Sequence, residues 1–197
     1  RCARQGAVMA VSNPALILVD IQQGLDDPWY GVRNNPNAEA NASRLLVAWR
    51  ARNWPLVHIQ HLSTNPESPL FPGKPGVPHK PEVAPTANEP VMQKNVNSGF
   101  IGTDLEAWLR ENHIEQVVIC GLTTNHCVET TTRMAGNLGF DATLAHDACA
   151  AHDLTGLDGT HYSADQVHAM SLANIASEFA RVQSTDEILK NLSNTGL

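Results

Sequence analysis

The chain has 197 residues, 42% hydrophobic and 17% charged, a composition that fits one globular domain and excludes a disordered polymer. A formal net charge of −7 leaves no basic footprint for nucleic acid or an anionic membrane. No apolar run approaches the ~18 residues of a membrane span, so no transmembrane helix is expected.

Residues 1–13 read as an N-terminal extension. Arg1 to Ala10 carries basic residues but no sustained apolar core, which makes a poor signal peptide, and Met9 is a candidate start. Cys2, Cys120, Cys127 and Cys149 form neither a C-x-x-C nor a dense disulfide pattern, so a reduced, cytoplasmic protein is expected.

Residues 15–20 are a continuous apolar run that reads as a buried strand, opened by Pro14 and closed by Asp20. Taken alone, Asp20 also suits a cap or a surface turn. Residues 37–53 predict a helix with Leu45, Leu46 and Trp49 on its apolar face, and 55–61 the next strand. Residues 63–90 hold eight prolines and two glycines. A connection this long without regular structure predicts a flap over the site, with Leu70, Phe71 and Val77 to bury. Residues 91–94 form a short strand ending in Lys94. Thr103 then caps a helix running to Asn112, with Glu106 completing a capping box and Leu105, Trp108 and Leu109 facing inward.

Residues 117–120 are a second doubly buried strand. Gly121 breaks it, and Thr123, Thr124 and Asn125 turn or cap. Residues 127–138 predict a helix, so Cys127 would sit at its first turn, where free N–H groups and the helix dipole favour a thiolate. An inert buried thiol is the plainer alternative. The chain continues with a strand at 141–146 and a loop at 147–149. A helix at 164–178 follows, capped by Ser163, then a strand at 179–183 and a last helix at 186–192, capped by Thr185. Strands alternating with helices predict one doubly wound α/β domain over 14–197, with a mainly parallel sheet and helices on both faces.

In such a sheet Asp20, Lys94 and Cys127 end or follow strands along one edge. Their joint chemistry is coherent: Asp20 takes the thiol proton and Lys94 favours the thiolate. Leu18-Val-Asp-Ile-Gln22, Lys94 ahead of Asn97-Ser98, and Gly121-Leu-Thr-Thr-Asn-His-Cys-Val128 together resemble the isochorismatase-like cysteine hydrolases, a likeness covering about residues 14–185. That resemblance implies an Asp20-Lys94-Cys127 catalytic set and a cis Leu122–Thr123 peptide. It also implies an oxyanion hole from the backbone N–H groups of Thr123 and Cys127. The activity it implies is cleavage of a small amide through a thioester, by a homo-oligomer needing no cofactor. Gln22, Tyr30, His61 and Phe100 are candidate pocket residues.

The metal-containing relatives carry Asp-x-His where this chain has His61-Leu-Ser63, so no metal is expected. His58 and His61 should point to opposite faces of a strand, and a site of His61 with His79 would lack a charged ligand. Two other readings stand beside the amidase: a nicotinamidase with an altered metal site, and an idle family member serving assembly or thiol redox sensing. Nucleotide binding is set aside because no G-x-G-x-x-G or P-loop follows the first strand.

Overall fold

A computed structural model describes residues 13–194. The proposed extension therefore lies outside the described residues apart from Asn13, as do Cys2 and Met9.

β1 (Ala15–Val19), α1 (Ala38–Arg52), β2 (Leu56–His61), β3 (Val91–Lys94), α2 (Leu105–Glu111) and β4 (Gln116–Leu122) come first. α3 (Glu129–Asn137), β5 (Asp141–Ala150), a small hairpin of β6 (Leu154–Thr155) and β7 (His161–Tyr162), α4 (Ala164–Ala176), β8 (Arg181–Gln183) and α5 (Thr185–Asn194) complete the order. The main sheet runs β3-β2-β1-β4-β5-β8 with every neighbouring pair parallel. Strand order reverses between β1 and β4, which opens a crevice at their carboxyl ends.

Side chains of β1 alternate between two cores. Leu16 and Leu18 pack with Leu45, Leu46 and Trp49 of α1, while Ile17 and Val19 pack with Leu105, Leu109, Ala135 and Ile175 of α2, α3 and α4. Both faces of the central strands are therefore covered, which is why they read as unbroken apolar runs.

Several local expectations are corrected. Glu106 pairs with Arg110 at 3.3 Å and not with a capping backbone, and Asp104 stands at the cap position of α2. α4 stops at Ala176, because the N–H groups of Phe179 and Ala180 still bond the Ile175 carbonyl, and β8 begins only at Arg181. Ser184, not Thr185, exchanges hydrogen bonds with Glu187 ahead of α5. The loop expected at 147–149 is strand: β5 runs to Ala150, its ladder with β4 shifting register between Ile119 and Gly121. The hairpin β6–β7 carries no clear signal in the sequence.

The proline-rich segment is tied down by backbone bonds. Gln23 and Gly24 donate to the carbonyls of Pro78 and Gly76, and Lys80 donates to Ile21. This lays the segment across the carboxyl end of β1.

Candidate active site

Three strand ends meet at the crevice. β1 closes at Val19, and Asp20 follows in a left-handed conformation (φ 51°), its N–H on the Ile59 carbonyl at 3.0 Å. Few side chains tolerate that backbone, and Asp is among those that do. β3 delivers Lys94, whose Nζ donates to Asp20 Oδ2 at 2.6 Å and to His61 Nδ1 at 3.1 Å. An ammonium only donates, so Nδ1 is the accepting nitrogen and His61 is a neutral imidazole protonated at Nε2. β4 delivers Cys127 through Gly121 and a cis Leu122–Thr123 peptide. One ligand atom each of Asp20, His61 and Cys127 lies within 4.8 Å of the others.

Gly121 allows this approach. At φ 138°, a Cβ there would stand 2.0 Å from the Val19 carbonyl oxygen, so any other residue would push β4 away from β1.

Cys127 does not occupy the first turn of an α-helix. It lies in a single π-helical turn, Thr124–Val128, and α3 begins only at Glu129. Such wide turns recur at functional sites. Burial pushes the Cys127 thiol well up, the Asp20 charge adds to this, and Lys94 opposes without prevailing. The expectation of a preformed thiolate is thereby corrected. Burial likewise raises the Asp20 carboxyl, against the pull of Lys94. Asp20 Oδ2 is taken by Lys94, while Oδ1 is buried with no fixed hydrogen-bond partner. Asp20 therefore bonds Lys94 through one oxygen and keeps the other, without a fixed partner, beside the Cys127 thiol.

Above the triad is a cavity of about 490 Å³. Asp20, Thr123 and Cys127 line it, as do the expected pocket residues Tyr30 and His61. Lys94 lies beneath it, its side chain fully buried. Gln22 and Phe100 are not in the wall. The Gln22 amide is spent on both backbone groups of His61 and on the Val77 carbonyl, so it clamps the end of β2 to the proline-rich segment. Phe100 stacks on Phe140 with ring centroids 6.0 Å apart. That segment does reach the site, where its buried Leu70 forms part of the wall.

Sequence reasoning missed Asn97, Asn125, His126 and His152 in the lining. Asn97 stood in a quoted motif and its Nδ2 reaches Cys127 Sγ at 3.7 Å. His152 lies just past the end of β5, next to Tyr30 at 5.5 Å, and nothing in its sequence context points there.

Asp20, His61 and Cys127 form a group that could hold a metal ion. Lys94 stands against that use, because its ammonium already bonds Asp20 Oδ2 and His61 Nδ1 and would repel a cation beside them. His79 does not join His61; its ring lies edge-on to the buried His58, centroids 5.6 Å apart.

Residues 14–187 match the isochorismatase domain. The isochorismatase-family protein YrdC of Bacillus subtilis is 46% identical over 181 residues, covering 92% of this chain and 97% of that protein. A crystal structure of an isochorismatase-family protein from Chromobacterium violaceum is 50% identical with a TM-score of 0.90, covering 94% of this chain and 96% of that one. The ureidoacrylate amidohydrolase RutB of Variovorax paradoxus is 25% identical over 219 residues, covering 92% of this chain and 82% of that protein. The chain belongs to the isochorismatase family of hydrolases.

Proposed function

We propose that this protein is a cysteine-dependent amidohydrolase that cleaves the C–N bond of a small amide through a thioester. The observation that carries the reading is Asp20, held at 2.6 Å by Lys94 with its other oxygen unpartnered, beside the Cys127 thiol on the floor of a cavity. An amidohydrolase among the relatives supports it.

In this mechanism the Cys127 proton moves to Asp20 Oδ1 as Sγ attacks the amide carbonyl carbon. The oxygen of the tetrahedral intermediate takes the negative charge and accepts hydrogen bonds from the Thr123 and Cys127 N–H groups. Asp20 returns the proton to the nitrogen as the C–N bond breaks, releasing ammonia or an amine and leaving a thioester. Water then gives a proton to Asp20 and attacks that carbonyl. The C–S bond breaks, Sγ recovers its proton, and the acid departs. Lys94 stays bonded to Asp20 throughout and keeps it from being a permanently protonated buried acid.

A panel of small primary amides assayed for ammonia release tests this. Cys127→Ser and Asp20→Asn are each expected to lower kcat by about a thousandfold or more while remaining folded by circular dichroism. Near-normal turnover by folded Cys127→Ser would exclude the thioester route.

A further inference from the structure

The cavity is unusual in its charge inventory. Among the described residues, its lining contains no lysine and no arginine. Asp20 is the one lining carboxylate, and its counter-ion Lys94 is buried behind it and committed to Asp20 and His61. Arg33 pairs with the strand through His152, but its guanidinium is held by Glu39 and Asp26, at 2.5 and 3.1 Å. Lys80 is held by the same two carboxylates, at 2.5 and 2.6 Å. Those two cations and two anions balance, and none is left for a ligand.

The lining histidines do not supply the missing charge. Burial lowers His61 and His152, which works against a charged imidazole at either, and His126 is solvent-exposed. Asn125 Oδ1 is buried at the wall without a hydrogen-bond partner, which suits an N–H or O–H donor and repels an oxyanion. The rest of the lining is mostly apolar, from Leu25, Trp29, Tyr30, Leu70, Leu122 and Leu154, and its polar groups, such as the Asn97 amide and the Thr123 and Tyr30 hydroxyls, are uncharged. A carboxylate entering here would lose its hydration and gain no cation, a large cost.

We propose that the cavity selects an uncharged molecule with an apolar body, and that it excludes substrates whose acyl group carries a carboxylate. That the selected molecule is an amide rests on the hydrolase reading above; the charge selection itself does not.

Iodoacetamide and iodoacetate are a matched pair of thiol reagents, one neutral and one a carboxylate. Each is reacted with the wild-type protein at pH 8, alkylation of Cys127 is followed by mass spectrometry, and rates are normalised to those of free cysteine. The iodoacetamide preference at Cys127 is expected to exceed that of free cysteine by about tenfold or more, the scale set by an unpaired buried charge. Leu154→Arg, at the partly exposed rim, and Leu70→Arg, deeper in the wall, each bring a cation and should narrow the preference. A wild-type preference equal to that of free cysteine overturns the proposal, as does an unchanged preference in both arginine variants. Turnover of benzamide and 4-carbamoylbenzoate is measured alongside. A strong preference in a protein that turns over neither these amides nor any of the amide panel supports the charge selection and counts against the amidohydrolase reading. Equal turnover of both, with no preference, does the reverse.

Discussion

Lys94 Nζ and Asp20 Oδ2 stand 2.6 Å apart beneath the cavity floor, both side chains almost wholly out of water. A pair like this adds little stability compared with apolar packing, but losing one member strands the other. Its value is chemical: Lys94 pulls down a carboxyl that burial pushes up.

Lys94→Met is therefore expected to lower stability by about 3–5 kcal/mol at neutral pH, through an uncompensated carboxylate. It should also abolish turnover, since the carboxyl loses the hydrogen bond that fixes it beside Cys127. Adding Asp20→Asn to Lys94→Met should return most of the stability and none of the activity. Urea unfolding of the three variants checks this. A double variant no more stable than Lys94→Met would show that the loss came from something other than the stranded charge.

The thiol gives a second expectation. Because burial and Asp20 hold Cys127 above its ordinary 9.0, the thiolate population rises only in strongly alkaline solution. Iodoacetamide alkylation should keep climbing past pH 9 with no plateau near neutrality, and Lys94→Ala should move the curve further up. Turnover depends on a different group. In the proposed mechanism it requires ionised Asp20, whose raised pKa places the acid limb of the kcat profile above the ordinary carboxylate value of 3.8. A neutral-pH alkylation plateau would mean a preformed thiolate and a different first step.

Metal removal should leave turnover intact. A divalent ion at Asp20, His61 and Cys127 would have to sit beside the Lys94 ammonium, which already bonds two of the three and would repel it. The proposed backbone donors already serve the oxyanion, so no Lewis acid is needed. Dialysis against a strong chelator followed by assay tests this. Activity lost and restored only by zinc, iron or manganese would revive the nicotinamidase reading.

Acid should unfold the protein in two stages. Burial holds His58 at about 4, below its ordinary 6.5, so the unfolded chain binds this proton first and stability falls as pH drops from 6.5 toward 4. Burial alone would raise Glu39, but Arg33 and Lys80 hold it at about 2. Arg50 is the main group holding Glu89 at about 2, against its burial. Stability from these depressed carboxyls is complete above 4.5 and is lost as pH falls toward 2. Urea midpoints against pH would show both stages. His58→Leu should make the upper one shallower and Glu39→Gln the lower, with the other depressed histidines and Glu89 supplying the rest. Midpoints that stay level from pH 7 to pH 3 would contradict the assignment.

The fold class, the succession of the main strands along the chain and the three residues that end or follow them were legible in the amino-acid pattern. The reason is local: a doubly buried strand must be a short apolar run, and whatever ends it lies at the sheet edge. Asp20, Lys94 and Cys127 could be placed together from that rule alone. Tertiary structure decided how they interact. Whether Lys94 prevails over burial at Cys127 depends on solvent exclusion by residues distant in the chain, such as Leu70 and His152, and no local pattern encodes that. The same holds for Gln22, which reads as a pocket residue from its motif but is consumed in clamping His61 to Val77, 39 and 55 positions away. The cavity's lack of a free cation is also a property of pairing, visible only once Arg33, Lys80, Asp26 and Glu39 are seen to satisfy one another.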